Sequence, residues 1–114
     1  MRKSDAIRMQ HMLDAALDAK AFAQEYGRSD LDANRLLALG LLKCIEIVGE
    51  AASQVSSNRR SQHPEIPWQD IVGMRNRLIH AYYDVDLDLV WETIKTDLPP
   101  LITTLEKILG KNIG

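Results

Sequence analysis

The apolar residues of this chain recur at the spacing of a helix, and this periodicity constrains the fold more than any other feature. The broadest apolar stripe consists of Leu37, Leu41, Cys44, Ile45, Val48, Ala51, Ala52 and Val55. Residues three and four positions apart lie on one face of an α-helix. No segment alternates apolar and polar residues as a half-buried strand does. The sequence therefore predicts an all-α fold.

Capping residues mark the first two helices. Ser4 suits an N-cap and Gly27 suits the residue that follows a last helical turn, which predicts a first helix over residues 4–26. The turn after Gly27 leads into a second helix, which we expect over about residues 30–57. This second helix carries the broad apolar stripe, so its stripe face is the expected centre of the core.

Prolines, an aspartate and a glycine delimit the later helices. Pro67 suits a first helical turn, and the apolar spacing after it predicts a third helix that ends near Tyr83. Asp86 or Asp88 is the candidate cap of a fourth helix, which Pro99-Pro100 must kink or break and Gly110 ends. The expected architecture is an up-down bundle of four to five helices in which the whole chain forms one domain.

The second helix has features that suggest contacts beyond the core. Leu36, Leu39 and Ile47 form a second apolar group away from the stripe. A helix that is apolar on two sides is either deeply buried or part of an oligomer interface. Gly40 and Gly49 each cost a helix about 1 kcal/mol relative to alanine, which suggests that another backbone approaches closely at both positions.

The composition is that of a globular protein with a slight negative charge. Hydrophobic residues make up 46% and charged residues 26% of the chain, and the formal net charge is −2, which argues mildly against broad nonspecific nucleic-acid binding. No segment approaches the roughly 18 apolar residues of a membrane span, and the polar N-terminus is not that of a signal peptide. The single cysteine, Cys44, is expected to be a packed thiol. We expect a cytoplasmic protein that does not associate with membranes.

The segment from Met74 to Tyr83 contains residues that packing does not explain. On the expected third helix, Arg75 projects from the middle of the apolar face. An unpaired guanidinium on a buried face would cost several kcal/mol, so Arg75 requires a carboxylate partner or an opening in the surface. Glu50 is the candidate partner in a structural ion pair, and the alternative is that Glu50 is a solvated acid with Lys43 or Glu46 nearby. Alternatively, Arg75 binds an anion beside His80, because an imidazole titrates near neutral pH.

Several kinds of active site lack support in the sequence. His11, His63 and His80 do not have the spacing of metal ligands, and no phosphate-binding glycine loop or nucleophilic serine elbow is found. We therefore expect neither a metal nor a cofactor, and His11 is expected on the solvated surface. The residues of the segment 74–83 instead suit phosphate chemistry without a metal ion, as in metal-independent RNA cleavage. His80 is its candidate base or acid, Arg75 the candidate phosphate ligand, and Asn76 a candidate to orient the imidazole.

Residues 75–82, Arg-Asn-Arg-Leu-Ile-His-Ala-Tyr, resemble the R-x4-H-x-Y signature of HEPN domains, specifically the HepT-like toxin branch. The flanking segments 47–52, 67–68 and 97–99 extend this resemblance over nearly the whole chain. The resemblance implies the ribonuclease toxin of a type VII toxin–antitoxin system. It also implies a homodimer that cleaves transfer or messenger RNA.

The same resemblance implies roles for individual residues. Arg75 and His80 match the catalytic pair, and Glu50 matches a recurring acid of the second helix. Tyr82 matches the tyrosine that a cognate MNT-type nucleotidyltransferase antitoxin modifies with AMP. The candidates for further contact with RNA are Arg59, Arg60, Arg77 and Tyr83.

Helix geometry also favours a dimer. Five residues of helix turn His80 about 140° away from Arg75, and one protomer supplies one motif histidine although a proton must be both removed and donated. Two copies related by a two-fold axis would supply both groups in one cleft. Two other hypotheses stay open. One is a noncatalytic module that binds a nucleotide or a protein partner at Arg75, and the other is a structural dimer in which the Arg75–Glu50 pair is only architecture.

Overall fold

The computed structural model describes residues 3–81 and 84–110, which fold mainly into helices. The longest helices are α1 (Lys3–Ala23), α3 (Arg35–Ser53) and α8 (Leu98–Leu109). The shorter ones are α2 (Asp30–Ala33), α4 (Ser57–Ser61), α5 (Trp68–Val72), α6 (Met74–Leu78) and α7 (Leu87–Glu92), with a π-helical segment (Thr93–Asp97) between α7 and α8. Two short antiparallel strands, β1 (Ile79–Ala81) and β2 (Asp84–Val85), form a hairpin. The predicted helical class is confirmed, whereas the hairpin was not predicted. None of the described helices combines the length and apolar character that crossing a membrane requires.

Helix α1 packs against both α3 and α8, and a buried carboxylate fixes its direction. Asp5, near the start of α1, is 2% exposed and accepts hydrogen bonds from the N–H and hydroxyl of Ser56, at 2.9 and 2.7 Å. Because Ser56 follows the end of α3, the two helices are antiparallel. The largest fully buried side chains of the described residues are Met9, Met12, Leu13, Leu31, Leu41, Ile45, Val48, Leu78, Val90, Leu98 and Leu105.

The predicted second helix is divided near its start. Asn34 leaves the helical conformation, with φ −123° and ψ 89°, and its side chain accepts a hydrogen bond from the N–H of Leu37 at 3.0 Å. Asn34 therefore caps α3 and separates it from α2. A helix does begin at Asp30, as predicted, but the prediction of one continuous helix over residues 30–57 is wrong, because Asn34 interrupts it and α3 ends at Ser53.

The predicted third helix is also wrong, because the chain changes from helix to strand within it. Gly73 divides the helical part into α5 and α6, and α6 ends at Leu78. Ile79 is extended, with φ −119° and ψ 113°, and it pairs with Val85 in the hairpin. Ile79 and Val85 are β-branched, and such residues suit a strand better than a helix. His80 therefore belongs to β1 by its backbone, and Tyr82 and Tyr83 lie outside the described residues.

The buried face of α5 and α6 differs from the predicted one. Its buried residues are Trp68, Ile71, Met74 and Leu78. Val72 is 37% exposed and Arg75 lies on the exposed side as well. The expectation that Arg75 projects from a buried apolar face is therefore wrong, since the buried stripe runs through Met74 instead.

The fourth helix begins and ends where the sequence predicts. The side chain of Asp86 accepts a hydrogen bond from the N–H of Leu89 at 3.0 Å, which confirms the N-cap. Gly110 has φ +69°, a left-handed conformation that suits glycine after a last helical turn. Pro99 and Pro100 lie in the first turn of α8, directly after the π-helical segment, so the predicted irregularity lies just before the prolines.

Cys44 is a packed thiol, as expected. Its side chain lies in the core and is 5% exposed. Burial, and secondarily the charge of Asp18, raise the pKa of Cys44 to about 11, because a thiolate is poorly solvated in apolar surroundings.

The two glycines of α3 have different surroundings, which only partly match the prediction. A Cβ atom at Gly49 would lie 3.0 Å from the carbonyl oxygen of Ile71 in α5, whereas a Cβ atom at Gly40 would meet nothing within 4 Å. Gly49 therefore permits the close approach of α5 to α3. The predicted close approach at Gly40 is wrong.

This difference predicts opposite effects of the same substitution. Gly49→Ala should lower the free energy of unfolding by about 1–3 kcal/mol, because the added methyl group meets a helix backbone rather than a flexible side chain. Gly40→Ala, the matched control, should raise it by up to about 1 kcal/mol through helix propensity. Urea denaturation followed by circular dichroism measures both changes. Equal stabilities for the two variants would contradict the close approach at Gly49.

Candidate active site

Arg75 lies on the exposed side of α6 and forms an ion pair with Glu46 of α3. Its Nε is 3.2 Å from Oε1 of Glu46, and the two side chains are 55% and 28% exposed. An ion pair this exposed is worth at most about 1 kcal/mol. The predicted partner, Glu50, lies one turn further along α3, is exposed, and accepts a hydrogen bond from Gln54 at 3.4 Å. The expected Arg75–Glu50 pair is therefore wrong.

The Arg75–Glu46 pair separates two depressions of the surface, since both residues line both of them. The larger, which we call the α1/α3 groove, has a volume of about 840 Å³. Its lining residues are Arg8, His11, Lys43, Glu46, Ile47, Glu50, Ala51, Gln54 and Arg75. Arg75 thus has a carboxylate partner, Glu46, and also lines two open depressions.

The smaller depression, which we call the hairpin groove, has a volume of about 370 Å³. Ile79 of β1 and both residues of β2, Asp84 and Val85, contribute to its wall beside Arg75. His80 follows Ile79 in β1, so the strand that carries it borders this groove, although the His80 side chain lies outside the described part of the structure. The predicted helical spacing between His80 and Asn76 does not apply, because the two residues belong to different elements.

Asn76 and Arg77 are exposed on α6. Arg77 lines a third pocket of about 260 Å³ between α5 and α8, together with Asp70 and Asp97. Neither groove beside Arg75 includes Asn76 or Arg77. The structure therefore separates Arg77 from Arg75, although the two residues are close in sequence.

The two arginines of α4 make local contacts. Arg60 donates from Nε to the carbonyl of Val55 and from one terminal nitrogen to the carbonyls of Ala52 and Ser53, each at 3.1 Å. These bonds satisfy carbonyl groups at the end of α3, as basic side chains often do at helix C-termini. Arg59 donates to the side chain of Gln62 at 2.5 Å. A contact of Arg59 or Arg60 with RNA stays a prediction, and at Arg60 it would compete with three existing bonds.

Four residues beside Arg75 were not among the predicted site residues: Arg8, His11, Lys43 and Glu46. The expectation that His11 is exposed is confirmed, but exposure alone did not place it in a groove with Arg75. Arg8 and His11 lie in this groove because α1 packs antiparallel on α3, which brings the first turns of α1 beside the last turns of α3.

The family model described as Ribonuclease HepT-like matches residues 12–108. The chain belongs to the HepT-like ribonuclease family. The relative named "Probable ribonuclease HepT" from Thermococcus cleftensis is 32% identical over 108 residues, which are 95% of this chain and 98% of that protein. "Putative RNase MJ1380" from Methanocaldococcus jannaschii is 30% identical over 95 residues, which are 83% of this chain and 87% of that protein. No solved structure matches the chain.

The match to the HepT-like family confirms the resemblance seen in the sequence and includes Glu46, Arg75 and His80. It begins at residue 12, so Arg8 and His11 of the α1/α3 groove precede it. The family model therefore does not cover these two residues.

Proposed function

We propose that this HepT-like protein is an endoribonuclease that cleaves RNA without a metal ion at the surface around Arg75. The observation that carries the proposal is the environment of the Arg75 guanidinium. It is 55% exposed between two open grooves, and its Nε contacts Glu46. Within the described residues, no hydrogen bond to its two terminal nitrogens is found. These nitrogens can donate two parallel hydrogen bonds to a phosphate group.

The proposed reaction needs only a phosphate ligand and groups that transfer protons. A base removes the proton of the 2′-hydroxyl, whose oxygen then attacks the adjacent phosphorus atom. The bond from phosphorus to the 5′-oxygen breaks, an acid protonates that oxygen, and the other product ends in a 2′,3′-cyclic phosphate. Arg75 stabilises the charge on the phosphate oxygens. His80 acts as base or acid, a role worth about 10²–10⁴ in rate.

We further propose that two copies form the complete site. Leu36, Leu39 and Ile47 are 83%, 44% and 39% exposed on α3. Leu39 lines the hairpin groove and Ile47 lines the α1/α3 groove, so this apolar surface adjoins Arg75 on both sides. A two-fold axis through it would bring two copies of Arg75 and His80 together.

Regulation by a cognate MNT-type nucleotidyltransferase antitoxin is also part of the proposal. The support for it is the position of Tyr82 in the sequence motif, two residues after His80. Addition of AMP to Tyr82 would add a negatively charged group to the segment that carries Arg75 and His80, and this group would compete with the substrate phosphate. In this role the protein is the toxin of a toxin–antitoxin pair.

The proposal is tested by incubating purified protein with total RNA in the presence of EDTA. We expect cleavage products with 2′,3′-cyclic phosphate ends, and we expect the activity to disappear after treatment with the cognate antitoxin and ATP. The Tyr82→Phe variant should remain active after the same treatment. RNA that stays intact with the untreated protein would contradict the enzymatic function, and binding without cleavage would favour the noncatalytic module.

A further inference from the structure

The α1/α3 groove contains more basic groups than the proposed reaction uses. Arg8 and His11 of α1 face Lys43 of α3 across the groove, and Arg75 of α6 lies beside them. Arg8 and His11 are three residues apart, so they project from the same side of α1. Lys43 is 71% exposed, and His11 is exposed as well. These groups are accessible to a ligand from solvent.

The acidic groups of the groove do not neutralise this set. Glu46 is shared, because its two carboxylate oxygens lie 3.2 Å from Arg75 and 3.9 Å from Lys43. Glu50 accepts a hydrogen bond from Gln54. Within the described residues, neither Arg8 nor His11 has a side-chain hydrogen bond or an ion pair. The groove therefore keeps a positive excess in a protein whose net charge is −2.

The dimensions and lining of the groove fit a nucleic-acid strand better than a single anion. Its volume of about 840 Å³ is that of a site for a ligand much larger than one phosphate group. Ile47, which is 39% exposed at the groove edge of the apolar surface proposed for the dimer, supplies apolar surface between the basic groups. Unpaired bases can contact apolar surface while the phosphates contact cations, whereas the bases of a duplex are stacked inside it.

We propose that Arg8, His11 and Lys43 form a subsite in the α1/α3 groove that binds the phosphates of single-stranded RNA next to the phosphate held by Arg75. The proposal rests on the proposed ribonuclease function and adds a substrate class, single-stranded RNA, to it. Arg8 and Lys43 contribute positive charge, and the imidazole of His11 donates a hydrogen bond to a phosphate oxygen.

The test measures binding apart from cleavage. The probe is a fluorescent 2′-O-methyl oligouridylate, which has no free 2′-hydroxyl and so cannot be cleaved by the proposed reaction. Its affinity for the full-length protein is measured by fluorescence anisotropy over a series of salt concentrations. The test variant is Arg8→Gln/Lys43→Gln. The control variant, Lys20→Gln/Lys107→Gln, loses the same charge at two exposed residues that line neither groove beside Arg75.

The test variant should bind the probe at least about 10-fold more weakly than the wild type. The slope of log affinity against log salt should also become shallower by about 1.4, since each phosphate contact with a single strand contributes about 0.7. His11→Ala should weaken binding about 3-fold, because one hydrogen bond to a phosphate oxygen is lost. The control variant should bind within about 2-fold of the wild type, and a duplex of the same length should bind more weakly than the single strand.

Three results would overturn the subsite. If the test and control variants lose the same affinity for the probe, only the net charge of the protein matters for binding. A test variant that binds the probe and cleaves RNA as the wild type does would refute the subsite and leave the proposed function intact. A wild-type protein that neither binds the probe nor cleaves total RNA would refute both proposals together. Circular dichroism of each variant shows whether the fold is retained.

Discussion

Replacing Arg75 by alanine is expected to slow RNA cleavage by at least about 100-fold while the protein remains folded. The rate falls because a guanidinium group that stabilises charge in the transition state contributes roughly 2.7–4 kcal/mol, as other such donors do. The fold remains because the lost ion pair with Glu46 is exposed at both residues and contributes at most about 1 kcal/mol. Cleavage under single-turnover conditions and thermal unfolding measure the two effects separately.

Arg77→Ala is the matched control for this prediction. Arg77 is an exposed arginine of the same helix, but it lines the pocket between α5 and α8. We expect Arg77→Ala to change the rate by no more than a few-fold, even if Arg77 contributes to RNA binding. An Arg75→Ala protein that unfolds at room temperature would instead support a purely structural role of the Arg75–Glu46 pair. If Arg75→Ala and Arg77→Ala lower the cleavage rate by the same factor, cleavage requires only positive charge on α6 and not Arg75 itself.

Replacing Leu36 by glutamate is expected to weaken the homodimer by at least about 100-fold. Leu36 is 83% exposed in the first turn of α3. Burying a leucine side chain contributes about 1.5–3 kcal/mol, and a two-fold interface buries it twice. The substitution should not unfold the monomer, because a carboxylate in a first helical turn is favourable by about 0.3–1 kcal/mol. Sedimentation velocity measures the dimer, and the cleavage rate should fall with the dimer fraction.

Leu17→Glu provides the control for the interface. Leu17 is 37% exposed on α1 and lines neither the α1/α3 groove nor the hairpin groove. This variant should remain dimeric and active. A wild-type protein that is monomeric at micromolar concentration and still cleaves RNA would contradict the composite site. So would a Leu36→Glu variant that is monomeric and fully active.

The parts of the fold that the sequence predicted correctly depend on local interactions. Asp86 caps α7 and Gly110 ends α8 because each interaction joins residues within a few positions of one another. The apolar stripe of α3 was likewise visible, since helical periodicity is a local property. Asn34 could also have been recognised as a cap, because it precedes the stripe and asparagine favours that position.

The transition at Ile79 depends on a contact that the local sequence does not encode. Neither glycine nor proline follows Leu78, so the usual signals for the end of a helix are missing. The helix ends because β1 pairs with β2, and the carbonyl of Leu78 accepts the N–H of Asp86 at 2.7 Å. The earlier break at Gly73 changes which residues of α6 face the core, and for this reason Arg75 was placed on the wrong face.

The partner of Arg75 depends on how two helices are offset along each other. Glu46 and Glu50 lie four residues apart on α3, and a shift of about 6 Å along the helix exchanges them. The close contact between Gly49 and the backbone of α5 sets this offset. The basic residues of α1 were missed for a similar reason, since their place beside Arg75 follows from the packing of α1 on α3.

The central claim, that Arg75 and His80 act on the same phosphodiester, is tested most directly by a double-mutant cycle. Single-turnover cleavage of one RNA is measured for wild type, Arg75→Ala, His80→Ala and the double variant. If both groups stabilise one transition state, each single loss should be large, and the double variant should cleave about as slowly as the slower single variant. If the rate of the double variant falls by the product of the two single factors, the two residues act independently. An active His80→Ala protein would contradict a role of His80 in the reaction.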